Sequence, residues 1–229
     1  MTKMRFDVIS AVPDLMVSNL QNSIIKRAQD KHIVEIYLHS LRDYTTDKHR
    51  MIDDKPFGGS SGMVLKPEPF FNCFKKLLSE RSYDNVIFSS AGGKKYDQSY
   101  AKKFSLAKNI IIVAGHYKGI DDRVRERFAT DEISIGNFIL SGGELLALVI
   151  IDSVVRLLPG VLGDSDSALT DSFIDDQIIA APEFTRPAEI DGMKVPDVLL
   201  SGNEKEIIKW KNRQSEILTK KWKKNNSSE

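Results

Sequence analysis

Apolar and polar residues along positions 1–135 follow two periods, one typical of strands and one typical of helices. Residues 5–10 and 33–38 have the short apolar or alternating runs of strands. Between them, Pro13 opens a pattern with the helical period, which predicts a helix. The apolar face of this helix consists of Leu15, Met16, Leu20, Ile24 and Ile25.

The same succession of strand and helix patterns continues to residue 135, after a polar and glycine-rich segment at 43–62 that predicts a long loop. Further strands are predicted at 85–90, 109–115 and 133–135, and further helices at 67–78, 97–108 and 121–128. A repeated strand–helix order is typical of α/β proteins. We therefore predict a parallel sheet with helices on both faces.

An almost wholly apolar segment, 145–158, predicts the most deeply buried helix of the chain. Ser141 and Glu144 have the S-x-x-E spacing of a capping box at its start, and Pro159 and Gly160 end it. A helix that is apolar nearly all round must be covered on several sides. One chain of this size can hardly cover it alone, so we expect a dimer interface here.

Charge divides the last third of the chain. Residues 161–200 hold nine acids and two bases, a net charge of −7, whereas 201–229 hold eight bases and four acids, a net charge of +4. The basic tail is a candidate contact for a polyanion, and a solvated terminus is the alternative. Ser201 and Glu204 repeat the S-x-x-E spacing and predict a helix to about Leu218. The predicted divisions are a domain at 1–160, a flexible linker at 161–175 and a helical domain at 176–229.

The composition indicates a soluble globular protein. Of 229 residues, 41% are hydrophobic and 28% are charged, and the net charge is +1. The single cysteine, Cys73, excludes a disulfide framework or a cysteine-built zinc site within one chain. The start, MTKMRFDVIS, lacks the apolar segment of a signal peptide, and we expect a cytoplasmic location.

Three glycine-containing loops follow predicted strands and are the best candidates for a ligand site. They span 89–95, 115–121 and 134–144. Ligands of open parallel sheets collect beyond the carboxyl ends of the strands, and glycines let the main chain approach a ligand closely. None of the loops has the dinucleotide or triphosphate glycine pattern, so a nicotinamide or nucleoside-triphosphate site is not expected.

Charged residues near the end of the apolar helix leave two interpretations open. Arg156 either packs its stem while its head reaches water, or neutralises charge that develops on a substrate. Asp164, Asp166 and Asp171 are solvated loop acids by composition alone. Asp53 and Asp54 could bind a metal ion. Adjacent side chains rarely point the same way, so turn or cap roles are favoured for this pair.

Several long motifs resemble one known family in order and spacing. They are DDKPFGGSSGM, GHYKGIDDRV, DEISIGNFILSGGE, IDSVVRLLPGVLG, DSF, TRP and VLLSGN. Together they resemble the bacterial tRNA (guanine-N1)-methyltransferases, over nearly the whole chain from Met4 to about Leu218. The resemblance implies a trefoil-knotted α/β fold of the SPOUT class with a small helical C-terminal domain. A knot would be exceptional among proteins.

The resemblance also implies that the three glycine loops bind S-adenosylmethionine. The matching positions are Ser90, Ala91, Gly115, Tyr117, Gly119, Ser134, Ile135, Gly136, Asn137, Phe138, Ile139, Leu140, Gly142 and Gly143. The implied substrate is guanosine 37 of tRNA. The implied assembly is a homodimer whose active sites are shared between subunits. Dependence on Mg²⁺ is implied as well, although the sequence has no dedicated metal cage.

In the implied reaction, Asp171 of the DSF motif is the general base that removes the proton from guanine N1. Arg156 stabilises the negative charge that moves toward O6. The basic C-terminal domain contacts tRNA phosphates, and the target base leaves its stack to reach the site.

The chain departs from the family pattern at several positions of the donor site. His116 and Lys118 replace an arginine and a glutamate, Ala91 replaces a proline, and Asn137 replaces an aspartate. Glu183 replaces a histidine near the TRP motif. We expect an active enzyme with weaker donor binding. The alternatives are a SPOUT methyltransferase acting at another RNA position, and a weakly active or inactive RNA-binding dimer.

Overall fold

A computed structural model describes residues 3–162, 171–173 and 178–226. The chain divides into two compact units, Met1–Gly163 and Asp164–Glu229. Most of the predicted linker 161–175, with Asp164 and Asp166, lies outside the described residues. In the described part of the chain, no helix combines the length and the apolar character that a membrane span requires.

The first unit contains a five-stranded parallel sheet. Its strands are β1 (Met4–Ser10), β2 (Val34–Ser40), β5 (Asn85–Lys95), β6 (Asn109–Ala114) and β7 (Asp131–Ser134), in the order β2-β1-β6-β5-β7. A separate antiparallel pair consists of β3 (Asp53–Asp54) and β4 (Val64–Leu65). The predicted parallel α/β sheet is therefore confirmed. The trefoil knot that the resemblance implies stays a prediction.

Helices cover both faces of this sheet, as predicted. They are α1 (Asp14–Leu20), α2 (Ser23–Asp30), α3 (Pro67–Glu80), α4 (Gln98–Ser105), α5 (Asp122–Phe128) and α6 (Glu144–Val155). One buried cluster joins alternate residues of β1 and β6, such as Phe6 and Ile112, to α1, α2, α4 and α6. The other joins the opposite faces of the same strands, such as Ile9 and Ile111, to α3 and α5. All residues of β1 are buried, because both of its faces are covered.

Three predicted elements show the clearest differences from those observed. The predicted helix from Pro13 is two helices, and the residue at the break, Ser23, has a positive φ of 55°. The predicted loop 43–62 begins within a short 3₁₀ helix, Leu41–Tyr44, and includes β3. The predicted strand 85–90 continues to Lys95, because its second half pairs again with β7 after an interruption.

The second unit contains a hairpin and two helices among its described residues. The hairpin joins β8 (Glu189–Ile190) to β9 (Met193–Lys194), and the helices are α7 (Asp197–Leu200) and α8 (Glu204–Asn226). The hairpin turn, Asp191 and Gly192, has φ values of 49° and 78°, as a type I′ turn requires. Every described residue of this unit keeps part of its surface exposed, so the unit has little core of its own.

Helix α8 begins at Glu204, where a helix was predicted, but its start is organised differently. Ser201 Oγ donates a hydrogen bond to the carbonyl of Val198 and accepts a 3.1 Å bond from the N–H of Asn203, which precedes α8. Asn203 Oδ1 instead accepts a long 3.5 Å bond from the Glu206 N–H. The helix ends at Asn226 rather than at Leu218, which places most of the basic tail on a regular helix.

A buried polar network fixes β1 against β2. Asp7 is 0% exposed, and it accepts hydrogen bonds from Arg5 at 2.6 and 2.8 Å and from Tyr83 at 2.9 Å. The Nε2 atom of His39 lies 2.7 Å from Asp7 Oδ1. Burial alone would raise the pKa of Asp7, but the hydrogen bonds of His39, Arg5 and Tyr83 outweigh it and lower this pKa to about 2.

We predict that Asp7→Asn lowers the free energy of unfolding by about 2 kcal/mol at pH 7. The ordinary pKa of this carboxyl is 3.8 and the folded value is about 2. The carboxylate therefore adds stability above about pH 4, which is lost as the pH falls toward 2. Urea unfolding from pH 7 to pH 2 measures the effect. The gap between wild type and variant should close in that acidic window, whereas Asp14→Asn, at an exposed position, should show no gap.

Candidate functional site

The three glycine loops meet at one edge of the sheet and form a cleft. The first loop lies within β5, where the pairing with β7 is interrupted between Ser89 and Lys94, and the other two loops follow β6 and β7. Because β6, β5 and β7 are parallel neighbours, the three loops lie at the same edge of the sheet, and Ser90 and Ala91 line the cleft. The cleft, counted together with the open solvent at its mouth, has a volume of about 690 Å³.

Main-chain hydrogen bonds hold the loops together. The N–H of Gly143 donates to the carbonyl of Gly115 at 2.7 Å, and His116 forms an isolated β-bridge with Gly142. The N–H of Gly115 donates to Ser89 Oγ at 3.0 Å, which connects the first loop to the second. The cleft wall is therefore a single hydrogen-bonded structure that precedes α6.

Close approach of main chain explains the glycines at this edge. A Cβ atom on Gly143 would lie 2.8 Å from the Cα of Ala114 and 2.9 Å from the N of Gly115, closer than real Cβ contacts allow. Gly136 has a φ of 150°, which L side chains rarely adopt, and the Phe138 ring packs directly against it. The segment DEISIGNFILSGGE thus combines a strand, β7, with a loop whose main chain lies directly against that of Ala114 and Gly115.

The cleft offers main-chain polar groups and apolar surface. Side chains of Tyr117, Phe138, Ile139 and Leu140 are 48%, 56%, 87% and 38% exposed at its mouth. Among the described residues that line it, Lys118 alone carries a permanent charge. Such a lining suits a ligand with a planar base and a sugar, held by N–H and C=O groups and covered by apolar side chains.

Of the fourteen residues predicted to bind the donor, all but Asn137 line this cleft. The lining residues are Ser89, Ser90, Ala91, Gly115, His116, Tyr117, Lys118, Gly119, Ser134, Ile135, Gly136, Phe138, Ile139, Leu140, Ser141, Gly142, Gly143 and Leu146. Five lining residues were not among those predicted to bind the donor: Ser89, His116, Lys118, Ser141 and Leu146. Ser89 and Ser141 belong to the same loops. Leu146 belongs to α6, and only the direction of that helix brings it to the cleft.

The predicted capping box at the start of α6 is wrong. The residue before the helix is Gly143, and no side chain caps it. Glu144 is only 3% exposed and accepts a 2.7 Å hydrogen bond from Ser10 Oγ, at the end of β1. Ser10 Oγ in turn accepts a 2.9 Å bond from the Val12 N–H. This carboxylate therefore connects the start of α6 to β1, directly behind the cleft wall.

We predict that Glu144→Ala destabilises the protein by about 1–3 kcal/mol, because it removes the acceptor of a buried hydroxyl. Chemical denaturation monitored by circular dichroism measures the change. Glu144→Gln keeps an acceptor for Ser10 and should recover part of the loss. Glu126→Ala, on the exposed face of α5, is the control. A loss no greater for Glu144→Ala than for Glu126→Ala would contradict the role of this carboxylate.

The two predicted catalytic residues lie in different units of the chain. Arg156 is half-buried at the end of α6, where its N–H donates to the carbonyl of Asp152 at 3.2 Å. Asp171 is half-buried in the second unit. Their catalytic roles stay predictions.

Contacts with α8 fix the segment that carries Asp171. The N–H of Phe173 donates to the carbonyl of Ile178 at 2.7 Å, and the Phe173 ring lies 5.4 Å from that of Trp222. The N–H of Ile179 donates to Thr219 Oγ1 at 2.9 Å. The carboxylate is thus held next to residues anchored on a long helix.

Carboxylates of the described residues do not gather into a metal site. No three His, Cys, Asp or Glu side chains within 3–162, 171–173 and 178–226 lie close enough together to hold a metal ion. Asp53 and Asp54 form β3, and Asp54 Oδ1 accepts a hydrogen bond from the Lys55 N–H. We assign no step of a reaction to a metal held by these residues.

Comparisons with known proteins agree on one family. A family model described as tRNA (Guanine-1)-methyltransferase TrmD matches residues 4–228. A tRNA (guanine-N(1)-)-methyltransferase of Bacteroides thetaiotaomicron is 52% identical, covering 95% of this chain and 96% of the relative. One of Cytophaga hutchinsonii is 55% identical, covering 91% and 88%. The crystal structure of the tRNA (m1G37) methyltransferase from Aquifex aeolicus has a TM-score of 0.80 at 37% identity, covering 96% of this chain and 93% of that one.

Proposed function

Because the chain belongs to the tRNA (Guanine-1)-methyltransferase family, we propose that it transfers a methyl group from S-adenosylmethionine to N1 of guanosine 37 in tRNA. The observation that carries this proposal is the cleft of three crossed glycine loops, at the positions that the family motifs mark. The named activities of the relatives and of the Aquifex enzyme support the choice of base and position.

The chemistry of the cleft suits the donor. When bound, S-adenosylmethionine supplies an electrophilic methyl group on a positively charged sulfur. Main-chain groups of the three loops bind and orient its base and sugar, while Phe138, Ile139 and Leu140 exclude water at the mouth. Orientation is the main requirement, because alignment of the reacting atoms removes a large part of the barrier to transfer.

Asp171 is the general base of the proposed reaction, and Arg156 stabilises the charge that the reaction develops. Guanine N1 carries a proton and becomes nucleophilic only when that proton leaves, so Asp171 accepts it as general base. The negative charge left on the base spreads toward O6, where the Arg156 guanidinium stabilises it. A fixed cation is suited to this role because it needs no proton transfer of its own.

The second unit is proposed to hold the RNA. Helix α8 presents exposed Lys220, Lys221 and Lys223 near its end. Such side chains neutralise phosphates and make binding strongly dependent on salt. Since this unit has little core of its own, we also propose that its apolar surface becomes covered in the assembled enzyme.

A homodimer with shared active sites is proposed from the surface of α6. Most of its apolar residues are buried within the chain, but Leu145 and Val149, on one face, are 56% and 43% exposed. Large side chains exposed on an otherwise buried helix indicate an interface.

We also propose a cytoplasmic location and a dependence of activity on Mg²⁺. The family resemblance supports both.

One assay tests the function. Transcripts of tRNA with guanosine 37, and matched transcripts with adenosine 37, are incubated with the protein and labelled donor, and the modified base is mapped. Label at N1 of guanosine 37 alone is expected. Label at another position or on a ribose would support a different RNA specificity. Binding without transfer would support an inactive RNA-binding dimer.

A further inference from the structure

The loop between β3 and β4, residues 55–63, lies beside the cleft and has few contacts of its own. Gly58, Gly59 and Gly62 have φ values of 81°, 77° and 94°, and Phe57 is 99% exposed. Glycine has more accessible backbone conformations than any other residue, so this loop has a high conformational entropy when nothing holds it. Its position therefore depends on the bonds that reach it from outside.

The returning end of the loop is joined to the second cleft loop by the main chain. The N–H of Lys118 donates to the carbonyl of Met63 at 3.0 Å. The N–H of Leu65 donates to the carbonyl of Gly119 at 2.9 Å, and the N–H of Asp121 donates to the carbonyl of Leu65 at 3.0 Å. Met63, β4 and the cleft wall are thus parts of one hydrogen-bonded strip.

The side chain of Lys118 extends this connection into the glycine-rich part of the loop. Its Nζ donates to the carbonyl of Ser61 at 2.9 Å, and its stem passes 3.6 Å from where a Cβ of Gly62 would be. Among the described residues, Lys118 makes the one hydrogen bond from outside the loop that reaches residues 56–62.

We propose that Lys118 is a positioning residue that latches the β3–β4 loop to the donor cleft, so that the loop is placed when the guanosine arrives. The proposal rests on the proposed function. It also accounts for a cation in a cleft whose ligand is itself cationic. An ammonium directed at the donor would repel it, whereas an ammonium bonded to the Ser61 carbonyl serves the loop.

The variant Lys118→Met tests the latch, because it keeps most of the stem and removes all three donors. Lys55→Met makes the same change of charge on the same loop and is the control. Lys118→Arg keeps donors and should restore part of the effect. In the protein alone, chymotrypsin cleavage after Phe57 should become roughly 3- to 10-fold faster in Lys118→Met, because cleavage requires the loop to leave its position and the lost hydrogen bond contributes little more.

Kinetics then separate positioning from donor binding. For Lys118→Met we expect the KM for tRNA to rise by a similar factor, while kcat and the dissociation constant of S-adenosylmethionine stay within about twofold. An unchanged rate of cleavage after Phe57, or the same increase in Lys55→Met, would overturn the latch. So would a donor affinity that changes as much as the KM for tRNA. If wild type fails to methylate tRNA, the proposed function falls, whereas the cleavage result still decides the latch.

Discussion

Replacing Asp171 with Asn should reduce the rate of methyl transfer by about 10² to 10⁴ while leaving tRNA binding within a few fold. An amide has nearly the shape of the carboxylate but cannot accept the N1 proton at neutral pH. The segment that carries Asp171 is held by Phe173, Ile178 and Ile179 rather than by this side chain alone, so the local fold should persist. Single-turnover transfer to a guanosine 37 transcript measures the rate, and filter binding measures the affinity.

The control for this variant is Asp191→Asn, in the hairpin turn of the same unit. Its positive φ of 49° is well tolerated by asparagine, and the change of charge is identical. Both variants should bind tRNA alike. If Asp171→Asn transfers methyl groups at nearly the wild-type rate, another group removes the proton, and the assignment of the base is wrong.

Replacing Gly143 with Ala should abolish measurable donor binding and lower the free energy of unfolding by about 1–3 kcal/mol. The added methyl group would collide with the main chain at Ala114 and Gly115, which no side-chain rotation can relieve. The hydrogen bond from Gly143 to Gly115 must then lengthen, and the cleft wall opens. Isothermal titration with S-adenosylmethionine and thermal unfolding measure the two effects.

Gly92→Ala is the matched control, because a Cβ at Gly92 meets nothing within 4 Å. It lies on the first cleft loop, so it tests whether any glycine of these loops is equally sensitive. We expect little change in stability and donor affinity. Wild-type affinity in Gly143→Ala would show that the crossing of the two loops does not shape the donor site.

Much of the fold follows from local pattern. The apolar, branched run of β6 and the mixed pattern of β1, which includes Phe6, Val8 and Ile9, both predict strands. The break between α1 and α2 was not predicted, because the helical spacing of apolar residues continues across it. There the tertiary packing of α1 and α2 overrode the period.

The start of α6 shows where local reasoning fails. Ser141 and Glu144 have the spacing of a capping box, yet Glu144 bonds to Ser10, more than a hundred residues away. A buried carboxylate takes the best donor in space, and the sequence does not reveal which donor that is. Lys118 is a similar case, since its partner on the β3–β4 loop is a main-chain carbonyl that has no sequence signature.

The sequence by itself determined the strand–helix order, the glycine loops and, through its motifs, the family, because these depend on residue type and spacing alone. The tertiary structure decided which strand ends are neighbours, and so which loops share a cleft. It also decided which polar groups meet across the chain, at Asp7, Glu144 and Lys118. Those contacts join residues far apart in sequence, and only the packed sheet and helices bring such residues within hydrogen-bond distance.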